Sequence, residues 1–187
     1  MIKLSSALLI GSFMMAYGFS SQAVAAGPCV ETVEASLKEG NPRNTLEKYF
    51  NCEKYEGSAY ESIASGSKKW VHLAEQMLQH TDACYTEGIQ ASLGKAMQRS
   101  PRNVLPLVDK TPLLSASYIC LPFISNELPV KRQLAEIRKS RNVIQKVHEG
   151  RLQTQKATCL KFIQSVEVNV NSQTSPEFSQ RPASNPQ

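Results

Sequence analysis

The residues whose types and spacing say most about chemistry are five cysteines, Cys29, Cys52, Cys84, Cys120 and Cys159. They stand 23, 32, 36 and 39 residues apart, and no C-x-x-C occurs. That excludes a zinc knuckle, a thioredoxin-type redox pair and a c-type haem attachment. Structural disulfides are the chemistry left. An odd count leaves one thiol over, or pairs it between two chains.

The three histidines outline no site either. His72 and His80 lie eight residues apart, whereas a zinc pair wants an i,i+4 spacing and a third ligand. Both are expected on a polar helix face. His148 precedes Gly150 near the end of a helix, where it complements the dipole. Asp82 and Asp109 are the only aspartates; the first is placed to cap a helix, the second to sit in a turn. There is no G-x-S-x-G in a strand–helix context, no glycine-rich phosphate loop and no H-E-x-x-H. A leftover Cys84 or Cys159 beside a histidine would make a nucleophile, but a cysteine on an apolar helix face reads as core. No catalytic residue, cofactor or metal is assigned, and the chain reads as a non-enzyme. The alternative is an envelope-acting enzyme working through carboxylates such as Glu61, Glu75 or Glu87.

The elements around these residues are helical. Cys29, Val30, Val33 and Leu37 recur at helical spacing up to a stop at Gly40-Asn41-Pro42. A returning helix, capped by Asn44 or Thr45, carries Leu46, Tyr49 and Phe50. Two antiparallel helices of equal length would bring Cys29 beside Cys52, so a disulfide closing this hairpin is expected. Residues 68–79 turn Trp70, Leu73, Ala74, Met77 and Leu78 to one side. Residues 83–99 carry Tyr85, Ile89, Leu93 and Met97 beside a line of small residues, Gly88, Ala91 and Ser92. The segments around Cys29 and Cys84 share a faint similarity, and Pro101-Arg102-Asn103 echoes Pro42-Arg43-Asn44. If that is a repeat, Cys84 pairs with Cys120 and Cys159 is free; the competing pair is Cys120 with Cys159.

Prolines 106, 112 and 122 cut residues 104–123 into short pieces, with Leu121 to Ile124 expected as a buried turn. Long helices follow at 130–147 and about 151–166. The only alternating stretch, Val166 to Val170, lies where the last helix should fray. The fold class is therefore all-α: six to eight helices as stacked antiparallel hairpins, loosely like HEAT or TPR repeats, stapled by two disulfides formed from Cys29, Cys52, Cys84 and Cys120.

Composition agrees with a folded chain. Of 187 residues, 41% are hydrophobic and 20% charged, close to globular averages. The length suits one domain with short appendages. Residues 1–26 read as a secretory signal peptide, with Lys3, an apolar run at 8–16, and small residues up to Ala26. Pro28 ahead of Cys29 is a poor lipidation site. Residues 27–167 form the domain, and 168–187, rich in Asn, Ser, Gln and Pro, are expected to be disordered. Cleavage near Ala26 makes the protein periplasmic or secreted, where disulfides persist. No transmembrane segment is expected in the mature chain.

Charge is the one asymmetric property. The formal net charge is +5. Residues 27–67 hold seven glutamates against four basic residues, while residues 131–161 hold nine basic residues against Glu136 and Glu149. The basic set includes Lys131, Arg132, Arg138, Lys139, Arg141 and Lys146, the candidate partner surface. Arg141 differs from the rest because it falls on the inner stripe between Ile137 and Ile144. If buried there it needs a carboxylate or carbonyl. Such a helix pair suits another envelope protein or an anionic envelope polymer. Nucleic acid fits poorly with export and with sparse aromatics, 7% of the chain. The expected function is an exported binding module, of inhibitor, immunity or envelope-accessory type, with a structural scaffold as a further alternative.

Overall fold

A computed structural model describes residues 27–52 and 58–173. The expected signal peptide and most of the polar tail lie outside the described residues. Among those described there are nine α-helices, several short 3-10 turns and no strand. The fold is all-α as expected, with one helix more than the upper end of the expected count.

Helix α1 (Val30–Glu39) turns at Gly40 into α2 (Pro42–Tyr49), whose cap is Asn41, its side chain accepting from the Arg43 N–H at 2.8 Å. Pro42 stands at the first helical position, where its missing N–H costs nothing. The hairpin exists, but α2 is only eight residues long, and Phe50 behind it is extended and buried. Its ring meets Tyr60 edge-on at 5.2 Å. The chain has therefore left the hairpin before Cys52. The expected Cys29–Cys52 bridge is replaced by Cys52–Cys84, and Cys29 remains an exposed free thiol. The Cys84–Cys120 pair is overturned with it, because Cys120 bonds Cys159, the competing partner.

Helix α3 (Ala59–Ala64) is capped by Ser58 and α4 (Lys68–Met77) by Ser67. Between them Gly66 takes a left-handed φ of 78° against Ser100, a conformation suited to glycine. The expected apolar side of α4 is buried: Trp70, Leu73, Ala74, Met77 and Leu78. Helix α5 (Ala83–Arg99) is the central element, packed by α3, by α4 and by three later helices, α6 (Pro101–Val104), α7 (Ala116–Ile119) and α8 (Val130–Gln145). Its small residues explain the close approach. The Tyr60 ring of α3 fills the space where a Gly88 side chain would be, and the Leu121 carbonyl fills that at Gly94.

Asp82 precedes α5 as expected but makes no side-chain cap; its carboxylate pairs with Arg43 of α2 instead. Both Pro-Arg-Asn segments open helices, α2 and α6, yet the disulfides do not repeat. Asp109 occupies a turn at φ 62° and accepts from the Ala116 N–H at 3.2 Å, at the start of α7. In the proline-cut region Leu121 is buried, but Phe123 is 81% exposed, contrary to a buried turn.

Helix α9 (Gln153–Ser172) packs along α8 and runs past residue 167, where disorder was expected to begin. Val170 is buried and continues the apolar line of Cys159 and Ile163, which holds the last turns in place. No helix among the described residues is long and apolar enough to cross a membrane.

Candidate functional site

Helix α8 has two contrasting faces. Gln133, Ile137, Ser140 and Ile144 are buried, and the two polar residues among them are satisfied. Gln133 donates to the Leu128 carbonyl at 2.7 Å, and Ser140 accepts from Gln98 of α5 at 2.9 Å. Gln98 also reaches the Glu136 carboxylate at 3.0 Å, which turns that acid toward the protein.

The outer face carries five cations, beside the uncharged Ala135 and Asn142. Lys131 and Arg138 stand seven residues apart, as do Arg132, Lys139 and Lys146, so they form two adjacent rows along the helix. All five are exposed. Among the described residues none of the five is in an ion pair. Five unneutralised cations over about 24 Å of helix form a sustained positive surface, with no acid interposed on that arc.

Arg141, the sixth residue of the expected partner surface, does not share it. Its guanidinium donates to Glu167 of α9, and the two side chains are 26% and 19% exposed. The carboxylate required by a buried arginine is therefore supplied from within the chain. Lys156 is likewise internal: its ammonium donates to the Gln145 and Val147 carbonyls at 2.8 and 2.7 Å, at the C-terminal end of α8. The basic segment divides into residues that join α8 to α9 and residues that face outward.

His72 and His80 share the rim of a shallow concavity of about 440 Å³ with Glu34, Lys38 and Gln79. His72 also pairs its ring with Gln76 at 3.2 Å and lies 3.7 Å from Glu75. No group of three or more His, Cys, Asp or Glu suited to a metal occurs among the described residues. His148 follows the end of α8 in an exposed loop rather than its last turn. Glu61, Glu75 and Glu87 stand on α3, α4 and α5, and Glu75 is paired with Lys110 at 2.8 Å. Cys29 donates to Glu31 at 2.5 Å, and the same carboxylate takes Lys69 of α4 at 2.6 Å. Those two contacts, the thiol first, lower the Glu31 pKa to about 2.

No family model, no curated protein and no solved structure matches this chain.

Proposed function

We propose that this protein is an exported helical binding module, periplasmic or secreted, that acts by docking the basic face of α8 on an acidic surface of another envelope protein. The observation that carries the reading is the cluster of five exposed cations, Lys131, Arg132, Arg138, Lys139 and Lys146, none of them in an ion pair among the described residues, while Arg141 and Lys156 of the same helix pair are engaged internally. Uncompensated like charge on one helix is unfavourable for the isolated protein, and an acidic partner relieves it. The two disulfides suit an oxidising compartment. A helix already packed through its buried inner stripe presents such a face without the cost of ordering its backbone on binding. Repetition of helical hairpins and cleavage after Ala26 belong to the same reading.

The test is capture on immobilised, oxidised protein from envelope extract, at low and at physiological salt. A stoichiometric partner that survives physiological salt, and is lost when Arg138 and Lys139 are both replaced by Glu, supports the proposal. Retention of anionic polymer alone, or capture indifferent to the double replacement, overturns it.

A further inference from the structure

The cations on the outer face of α8 are not spread evenly. Lys131 with Arg132, Arg138 with Lys139, and Lys146 at the C-terminal cap form three groups that recur every seven residues. Seven residues advance a helix by about 10 Å in two turns, so the groups mark its beginning, middle and end.

Adjacent residues of a helix diverge by about 100°, which sets the two members of each pair apart. Ala135 and Asn142, both exposed and seven residues apart, run between the two cation rows. Short uncharged side chains thus floor a shallow trough whose sides are long cations. Glu136, the acid of the same helix, is held away from it by Gln98.

The spacing selects the form of the partner. In a strand three residues advance about 10 Å, but residues three apart point to opposite faces, and steps of two or four give about 7 and 13 Å. A second helix meets the period on one face, with acids seven residues apart. Helices approach to about 8–10 Å only where the side chains on the line of contact allow it, and Ala135 and Asn142 do. The trough has no apolar seam, so opposite charge holds the second helix and fixes its register.

Resting on the reading of α8 as a docking face, we propose that the element it takes from its partner is an acidic α-helix laid along α8, with carboxylates in adjacent pairs at seven-residue spacing.

The probe is a capped helical peptide of alanine and glutamine, about 20 residues long, carrying three Glu-Glu pairs seven residues apart. Its isomer has the same glutamates distributed evenly around the helix. Each is titrated into the oxidised chain at low salt and followed by backbone amide NMR. Saturable shifts along α8 with a Kd below about 1 mM are expected for the paired peptide, and binding about tenfold weaker for the isomer. Replacing Arg138 and Lys139 by Glu should abolish binding. Ala135→Trp keeps all five cations but fills the trough, and should weaken the paired peptide about tenfold. Equal affinity of the isomer, full affinity in Ala135→Trp, or no saturable shift along α8 would overturn the acidic helix. The docking face itself is decided by the envelope capture: a partner lost with Arg138 and Lys139 upholds it whatever the peptides do.

Discussion

Arg141 of α8 and Glu167 of α9 form an ion pair between two closely packed helices, both side chains largely shielded from water. It fixes which way α8 faces. With Arg141 turned inward to Glu167, and Ile137 and Ile144 beside it, the positions seven apart on the opposite arc can only point outward. The basic surface is thus a consequence of a pairing on the other side of the helix.

Removing one member should leave a charge without its partner. Glu167→Gln is expected to destabilise the protein by about 1–2 kcal/mol, less than for a fully buried pair because both side chains retain some solvent contact. Urea unfolding of the oxidised protein measures this. Exchanging the pair, Arg141→Glu with Glu167→Arg, should recover a large part of the loss. Independent, additive effects in that double-mutant cycle would show that the contact contributes nothing.

The cysteine pairing makes a separate prediction. Proteolysis without reduction should release peptides joined as Cys52–Cys84 and Cys120–Cys159, while Cys29 reacts with iodoacetamide in the native protein. Because 39 residues separate Cys120 from Cys159, replacing both by Ser should cost about 4 kcal/mol through the entropy of the unfolded chain. A Cys29–Cys52 peptide would contradict the arrangement.

The helices were legible because their apolar spacing is a local property. The period of Trp70, Leu73, Ala74 and Met77, or of Ile137 and Ile144, can be read within one element, and so could the need of Arg141 for a partner. Cysteine pairing was not legible. It depends on α2 ending at Tyr49, so that Phe50 can reach Tyr60 and Cys52 can reach the first turn of α5. The last turns of α9 were missed for a different reason. Asn169 and Asn171 mask a stripe in which Cys159, Ile163, Val166 and Val170 keep a four-three-four spacing. The concavity lined by Lys68, Arg102, Glu149 and Gln155 had no signal at all, since these residues come from segments that only the fold brings together.

Glycine substitutions should separate propensity from packing. Alanine is favoured over glycine in a helix by about 1 kcal/mol. At Gly94 a Cβ would overlap the Leu121 carbonyl, a backbone atom with nowhere to go, so Gly94→Ala should destabilise by more than about 2 kcal/mol. Gly88→Ala meets the Tyr60 ring at 2.5 Å and should also lose stability. Nothing lies within 4 Å at Gly150, and Gly150→Ala should be neutral or slightly stabilising. Thermal unfolding of the three variants ranks them; a stable Gly94→Ala would mean that the loop after α7 does not rest on α5.

The link between α1 and α4 should respond to acid. Glu31 accepts from the Cys29 thiol and from Lys69, and its pKa falls from the ordinary 4.5 to about 2. A carboxylate whose pKa is lower in the folded state stabilises that state at pH above its unfolded value, and the contribution disappears as pH falls from about 4.5 through about 2. Side-chain NMR titration should therefore find Glu31 ionised at pH 3.5, when free glutamates are largely protonated. Lys69→Ala should raise its pKa part of the way, leaving the thiol in place. Cys29→Ser keeps a donor and should hold it low, whereas Cys29→Ala should raise it further than Lys69→Ala does, since the thiol is the larger influence. Alkylating Cys29 removes the same donor, and its effect should match Cys29→Ala. An ordinary Glu31 titration in the unmodified protein would show that neither contact persists in solution, and that α1 is held to the rest of the fold by its apolar side, Val30, Val33 and Leu37.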